Sequence, residues 1–226
     1  LFIASDHAKE FFADLKCVIV DEIHAIAASK RGDLLSLGLA TLASWAPQCR
    51  FLGLSATVRD PQGLADWLDV RADGRGVRIL HAAGGVSAEV DILISRERIP
   101  WSGHSGRFAV PEVYEAIKRA TMTLVFVNTR SQAELMFQEL WNVNEDGLPI
   151  ALHHGSLARE QREKVEAAMA AGRLKAVVCT STLDLGIDWG EVDLVIQMGA
   201  PKGAARLIQR IGRANHRMDE ASRAVL

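Results

Sequence analysis

Short apolar runs alternate with mixed stretches along most of the chain. Cys17–Val20, Phe51–Leu54, Val77–His81, Val90–Ser95, Leu124–Val127, Ala176–Cys179 and Leu194–Met198 read as strands. Apolar runs without polar alternation are typical of strands buried on both faces of a parallel sheet. Between them the apolar spacing turns helical. Residues 132–141 place Ala133, Met136, Phe137, Leu140 and Trp141 on one helical face, and Ser131 with Glu134 predicts a capping box at its start. Residues 159–171 form a second amphipathic stretch, with Gly172 as its stop. Strands alternating with helices predict crossover connections and an α/β fold with parallel sheets. The small-residue segment 82–87 reads as a linker, so the expected domains are 1–83 and 84–226. Residues 98–107, with Pro100, Trp101 and two glycines, are expected to form a surface loop of the second domain.

Composition narrows the class. Charged residues make up 24% and apolar residues 49%, as in globular proteins, and the net charge of −2 requires any nucleic-acid contact to come from local basic patches. Cys17, Cys49 and Cys179 are far apart and form no Cys-x-x-Cys pair, which predicts reduced core thiols. No signal peptide opens the chain and no apolar run has membrane-spanning length, so a cytoplasmic protein is expected. The chain starts at Leu1 and stops within the strand-like Ala224-Val225-Leu226, and is expected to be a piece of a longer protein.

The run Val18-Ile19-Val20 ends in Asp21-Glu22, one step before His24. Ligands of parallel sheets bind at the carboxyl ends of strands. Two acids there point to an Mg²⁺-nucleotide site, with Asp21 holding the metal through water and Glu22 activating the attacking water. His24 is too close in sequence to be an independent ligand and is expected to relay the state of the site to a neighbouring segment. Ser55-Ala56-Thr57 follows another apolar strand, and its two hydroxyls can bond a neighbouring loop. Asn128, Thr129 and Arg130 lie where a strand runs into a helix N-terminus, a place that attracts phosphate. His153-His154 raises zinc, but no third ligand stands at metal spacing, and phosphate contact by Gly155 or Ser156 is the favoured reading. Thr180 and Ser181 offer hydroxyls at a strand end that can hold phosphate without reading a base. Gly186 allows close backbone approach and Asp188 suits a ribose hydroxyl. Arg206, Arg210, Arg213 and Arg217 share one face if the segment is helical throughout, and Arg213 is the first choice for stabilising a transferring phosphoryl group.

The Asp21-Glu22-x-His24 block, Ser55-Ala56-Thr57, residues 124–130, residues 180–188 and Gln209-Arg210-Ile211-Gly212-Arg213, in that order, resemble the superfamily 2 helicases of the DExH group. Residues 184–190, 199–204 and 209–217 resemble the Lhr (large helicase-related) family, and residues 29–33 and 99–104 its bacterial ligase-associated branch. The resemblance implies two RecA-like domains, the first truncated at its N-terminus, with ATP and Mg²⁺ as cofactors and ATP bound between the domains. It implies a 3′ to 5′ DNA translocase of the bacterial cytoplasm, active in DNA repair, with a DNA ligase and a nuclease as partners. Its catalytic residues are Glu22, Gln209 and Arg213. Its ATP-binding residues are Asp21, His24, Gly186, Asp188, Arg210 and Arg217; its nucleic-acid residues are Asn128, Thr129, Arg130, Gly155, Ser156, Thr180 and Ser181; Ser55 and Thr57 couple the two. The last block reads Gly-Arg-Ala-Asn-His-Arg, so either His216 or Arg217 fills the final arginine position. The 226 residues contain no Gly-Lys-Ser or Gly-Lys-Thr phosphate loop, and the chain alone is expected to be inactive. An RNA helicase and a non-catalytic nucleic-acid scaffold are the two rival readings.

Overall fold

The computed structural model describes residues 2–55, 58, 60–71, 76–81, 86–95, 106–184, 192–201, 203–214 and 221–226. The chain divides into two compact units, Leu1–Ala82 and Ala83–Leu226.

The first unit contains α1 (Ala8–Phe12), β1 (Cys17–Val20), α2 (Ile23–Ile26), α3 (Lys30–Trp45), β2 (Arg50–Gly53) and α4 (Pro61–Leu68). β1 and β2 pair in parallel, with Ile19 opposite Leu52. The core is small: Val20, Ile23, Leu39 and Leu68 form its buried centre, with Leu35, Phe51 and Val77 packed against it. Ile19 and Leu52 keep 60% and 46% of their surface exposed. α3 begins at Ser29, whose hydroxyl accepts from Gly32 N and donates to the Ile26 carbonyl. A Cβ on Gly32 would overlap the Ile26 carbonyl oxygen, so only glycine lets α3 start this close to α2.

The second unit contains β3 (Glu89–Asp91), α5 (Val110–Arg119), β4 (Thr123–Phe126), α6 (Arg130–Asn142), β5 (Ile150–His153), α7 (Arg159–Ala170), β6 (Ala176–Cys179), β7 (Leu194–Gln197), α8 (Ala204–Ile211) and β8 (Arg223–Val225). Its sheet runs in the order β3-β8-β7-β4-β6-β5, and every pairing is parallel. Strand alternation sorts the core into two layers. Val125, Val127 and Ile196 face Val113 and Ile117 of α5 and Ala133, Met136 and Leu140 of α6. Leu124, Phe126, Val177 and Val195 face Met169 of α7 and Ile211 of α8.

Several expectations shift. β2 and β4 begin and end one residue earlier than their apolar runs, and the strand expected over 90–95 spans Glu89–Asp91. Val77–His81 forms no strand, having no neighbouring ladder to join, and β5 is a strand the apolar pattern missed. The capping box at α6 is built by Thr129 and Gln132 rather than Ser131 and Glu134. The Thr129 side chain accepts from Gln132 N, and the Gln132 side chain accepts from Thr129 N. Trp141 lies outside the core face of α6, stacked on Phe137 and 59% exposed.

Candidate functional site

Asp21 and Glu22 stand at the carboxyl end of β1. Glu22 has φ 50° and ψ 40°, the only non-glycine residue among those described with a positive φ. Such a conformation is costly for a residue with a Cβ and persists only where the surroundings impose it. Here Glu22 N donates to Asp21 Oδ1 at 2.9 Å, Leu54 N donates to the Val20 carbonyl at 2.9 Å, and Ile23 N donates to the Leu54 carbonyl at 3.0 Å. The turn is thereby clamped between the ends of β1 and β2. His24 Nδ1 lies 3.0 Å from Ser55 Oγ, a hydrogen bond that ties the carboxylate turn to the segment after β2. The same nitrogen is 3.4 Å from Glu22 Oε2, within ion-pair range but out of line for a hydrogen bond.

The donor set suits Mg²⁺. Asp21 is exposed, a hard oxygen ligand, and its Oδ1 accepts from Glu22 N. No group of three His, Cys, Asp or Glu side chains converges on a metal position among the described residues. One carboxylate with water and phosphate oxygens completing the shell is the usual Mg²⁺ arrangement.

In the second unit, the ends of β4, β6 and β5 stand side by side. Asn128, Thr129 and Arg130 follow β4, Thr180 and Ser181 follow β6, and Gly155 and Ser156 follow β5. All but the buried Thr180 are exposed. Asn128 Nδ2 donates to the Ala200 carbonyl at 2.9 Å, and Arg130 Nη1 donates to Ser156 Oγ at 3.2 Å. The Gln132 carboxamide oxygen accepts from both Asn128 N and Thr129 N, and the Thr129 hydroxyl is occupied by the cap. Beside Asn128 opens a cavity of about 450 Å³, whose walls include Phe108, Val113, Ile196, Met198 and Leu226. Those apolar walls are poorly suited to phosphate.

The arginine segment departs from a single stripe. α8 ends at Ile211 with Gly212 as its cap, so Arg213 lies in the following turn. Arg210 is 2% exposed and inward-facing. Its Nε donates to Asp184 Oδ1 at 2.7 Å, its Nη1 to Gln197 Oε1 at 2.7 Å, and its guanidinium carbon lies 4.6 Å from the Phe126 ring centre. Expected at the nucleotide, Arg210 has instead committed its guanidinium to the protein interior. Arg206 Nε lies 3.4 Å from Asp184 Oδ2, and Arg213 Nη2 donates to the Asp184 carbonyl at 2.9 Å. Three arginines therefore converge on Asp184, the residue that anchors this corner and that sequence reasoning did not single out. The Gln209 amide Nε2 is buried without a hydrogen-bond partner among the described residues, leaving a donor for a ligand. Thr57, Gly186, Asp188, His216 and Arg217 lie outside the described residues.

The zinc reading of His153-His154, already disfavoured by spacing, gains no geometric support among the described residues. His153 and His154 turn to different partners, Glu166 and Glu134. Burial pushes the Cys179 thiol well above its ordinary value and raises Cys49 as well, as befits inert core thiols.

The DEAD/DEAH box helicase family profile matches residues 2–64, and the helicase conserved C-terminal domain matches residues 109–218. The Lhr helicase/probable uracil glycosylase of Mycolicibacterium smegmatis is 34% identical over 97% of this chain and 17% of its own length. The chain belongs to the Lhr helicases. The ATP-dependent helicase Lhr-Core of Saccharolobus solfataricus is 36% identical over 98% of this chain and 26% of its own. The structure of Mycobacterium smegmatis helicase Lhr bound to ssDNA and AMP-PNP superposes with a TM-score of 0.84 at 35% identity, over 100% of this chain and 30% of that one. The chain thus spans less than a third of the length of each of these relatives. Its fold is RecA-like α/β in both units, and no helix among its described residues is long and apolar enough to cross a membrane.

Proposed function

We propose that the Lhr protein containing this chain is an ATP-dependent DNA translocase, moving 3′ to 5′ and serving DNA repair in the bacterial cytoplasm. The observation that carries this reading is the clamped carboxylate turn. Glu22 is held in a left-handed conformation and His24 hydrogen-bonds Ser55, so a change at the carboxylates reaches the end of the next strand.

Glu22 takes the proton of the attacking water as oxygen bonds the γ-phosphorus and the bond to the bridging oxygen breaks, releasing ADP and phosphate. Asp21 is the residue that would hold Mg²⁺, which when bound would neutralise charge on the phosphate oxygens. Gln209 offers its free amide to a nucleotide oxygen, and Arg213 places positive charge against the developing phosphoryl charge. Asp188 and Gly186 serve the ribose and the backbone approach, and Ser55 with Thr57 couples nucleotide state to the strand. Arg130, Gly155, Ser156, Thr180 and Ser181 contact the nucleic-acid backbone, with Asn128 and Thr129 bordering them. Residues 29–33 and 99–104 support the ligase-associated branch, with a DNA ligase and a nuclease as working partners.

The test is ATP hydrolysis by the full-length protein with single-stranded DNA or RNA, together with displacement from substrates of opposite polarity. DNA stimulation and 3′ to 5′ displacement are expected, and Glu22→Gln should keep nucleotide binding while turnover falls by about 10²–10⁴-fold. Preferential stimulation by RNA would replace the DNA reading, and near-normal turnover in Glu22→Gln would remove Glu22 as the base.

A further inference from the structure

β5 ends in His153, with His154 directly after it, at the edge read above as the nucleic-acid contact, and the two rings turn to opposite faces. Each ring meets a carboxylate from a different helix. His153 is 1% exposed; its Nε2 lies 3.0 Å from Glu166 Oε1 of α7, and its Nδ1 lies 2.8 Å from Thr182 Oγ1. A carboxylate only accepts, so Nε2 carries the proton and Nδ1 accepts from the Thr182 hydroxyl. Burial lowers the ring's affinity for a second proton, with Arg162 and His154 acting in the same sense and Glu166 opposing them. His154 accepts the Ser156 N–H at Nδ1, 3.2 Å away, which places its proton on Nε2, 3.3 Å from Glu134 Oε1 of α6. That contact is within ion-pair range but out of line for a hydrogen bond. A Cβ on Gly155 would stand 3.7 Å from the Thr182 methyl, so the loop after β5 and the turn after β6 face each other there.

We propose that His153 is a positioning residue for nucleic-acid binding: through Thr182 it sets the spacing between the Thr180–Thr182 turn and the Gly155–Ser156 loop. The proposal rests on the reading of those segments as phosphate contacts. His153 makes no contact with the strand itself. Its Nδ1, at 2.8 Å, is the nearer of two acceptors for the Thr182 hydroxyl, the His153 carbonyl at 3.4 Å being the other, while Glu166 fixes the ring. His154 performs the matching task from the other side, gripping Ser156 through its backbone N–H while Arg130 grips the Ser156 hydroxyl. Two loops from different strands thereby present their hydroxyl and N–H groups as one surface. Hydrogen bonds that orient a contacting group act on affinity through the precision of its placement.

The experiment uses the full-length protein and reads single-stranded DNA binding by anisotropy alongside DNA-stimulated ATP hydrolysis. Thr182→Val removes the hydroxyl and keeps the methyl against Gly155. It should raise the DNA concentration for half-maximal stimulation about three- to ten-fold, the worth of one oriented hydrogen bond. Maximal turnover and the salt slope should stay unchanged, because no charge meeting phosphate is lost. His153→Ala should match it, and His153→Asn, whose side-chain oxygen can take the place of Nδ1, should recover most of the loss. The proposal is overturned if Thr182→Val binds DNA normally while Ser181→Ala and Arg130→Ala weaken binding, or if His153→Asn is as impaired as His153→Ala. If Ser156→Ala, Ser181→Ala and Arg130→Ala all bind normally, the phosphate reading itself fails and the proposal falls with it.

Discussion

The turn after β1 and the floor beneath β6 and β7 both hold charged side chains against a parallel sheet, and they treat them in opposite ways. At the turn, Glu22 is forced into a left-handed backbone, and its Oε2 makes no hydrogen bond. At the floor, Arg210 is buried, bonded to Asp184 and Gln197, and stacked over Phe126. An unsatisfied group in a strained turn is available for chemistry. A saturated ion pair is available only for holding shape. The supporting sheets differ likewise. Among the described residues, β1 and β2 carry partly exposed positions such as Ile19 and Leu52, whereas β4 and β7 in the second unit are wholly buried. Arg210 and Arg213 share one sequence block, yet Arg210 is buried against Asp184 and Gln197 while Arg213 lies in the turn after α8 and meets the Asp184 carbonyl.

Arg213→Ala should separate those two arginines most sharply. Removing an arginine that meets the transferring phosphoryl group should slow hydrolysis by about 10³-fold or more at unchanged DNA affinity. Steady-state kinetics at saturating DNA, paired with DNA binding, measures it. Loss of DNA binding with intact turnover would move Arg213 to the nucleic-acid surface.

Arg210→Ala should act on stability first. Stranding Asp184 in the interior should cost about 3–5 kcal/mol, read as a lowered midpoint of chemical unfolding. Arg210→Met, with Asp184→Leu to remove the stranded charge, should recover much of it. An unchanged midpoint in Arg210→Ala, with impaired ATP binding, would return Arg210 to the nucleotide.

A smaller effect is expected from pH. His153 has its affinity for protons lowered by burial, from an ordinary value of 6.5. The unfolded chain therefore binds that proton first as the solution is acidified. The stability tied to a neutral His153 is fully present above pH 6.5 and declines below it. Unfolding midpoints at pH 7.5 and pH 5.5 should differ less in His153→Gln than in the native protein, and equal differences would remove His153 as the source.

The smallest change should come from Thr129→Ala, which breaks the cap of α6 at a cost of about 1 kcal/mol. Because the Thr129 hydroxyl is engaged in the cap, DNA affinity should fall less than in Ser181→Ala. A larger loss of affinity for Thr129→Ala would show that the cap opens when the strand binds.

Much of the second unit was legible because its central strands, β4, β6 and β7, are buried on both faces. Ala176–Cys179 is an unbroken apolar run and forms β6 with those bounds. Ile150–His153 was missed because a short run ending in two histidines carries little strand signal, and its place is set by its pairing with β6. Val77–His81 misled in the other direction, since an apolar run becomes a strand only beside another strand. At the site, the Asp21-Glu22 turn was visible as chemistry, while its left-handed backbone was not. The roles of Asp184, Glu134 and Glu166 were hidden for a different reason. Each meets its partner from a distant part of the chain, as Asp184 does with Arg210, and no local spacing encodes such a meeting.

The opposite facing of His153 and His154 makes length the quantity that the end of β5 protects. Inserting one residue within the strand would exchange the two rings, sending the first towards Glu134 and the second towards Glu166, and each carboxylate would meet a histidine one step out of place. The same insertion in the turn around Gly147, where φ is 64° and an added Cβ would meet open space, would leave both rings where they are. The turn at Gly147 is thus the place where an added residue can be absorbed while the strand keeps its count, much as a reading frame tolerates changes between genes but not within them.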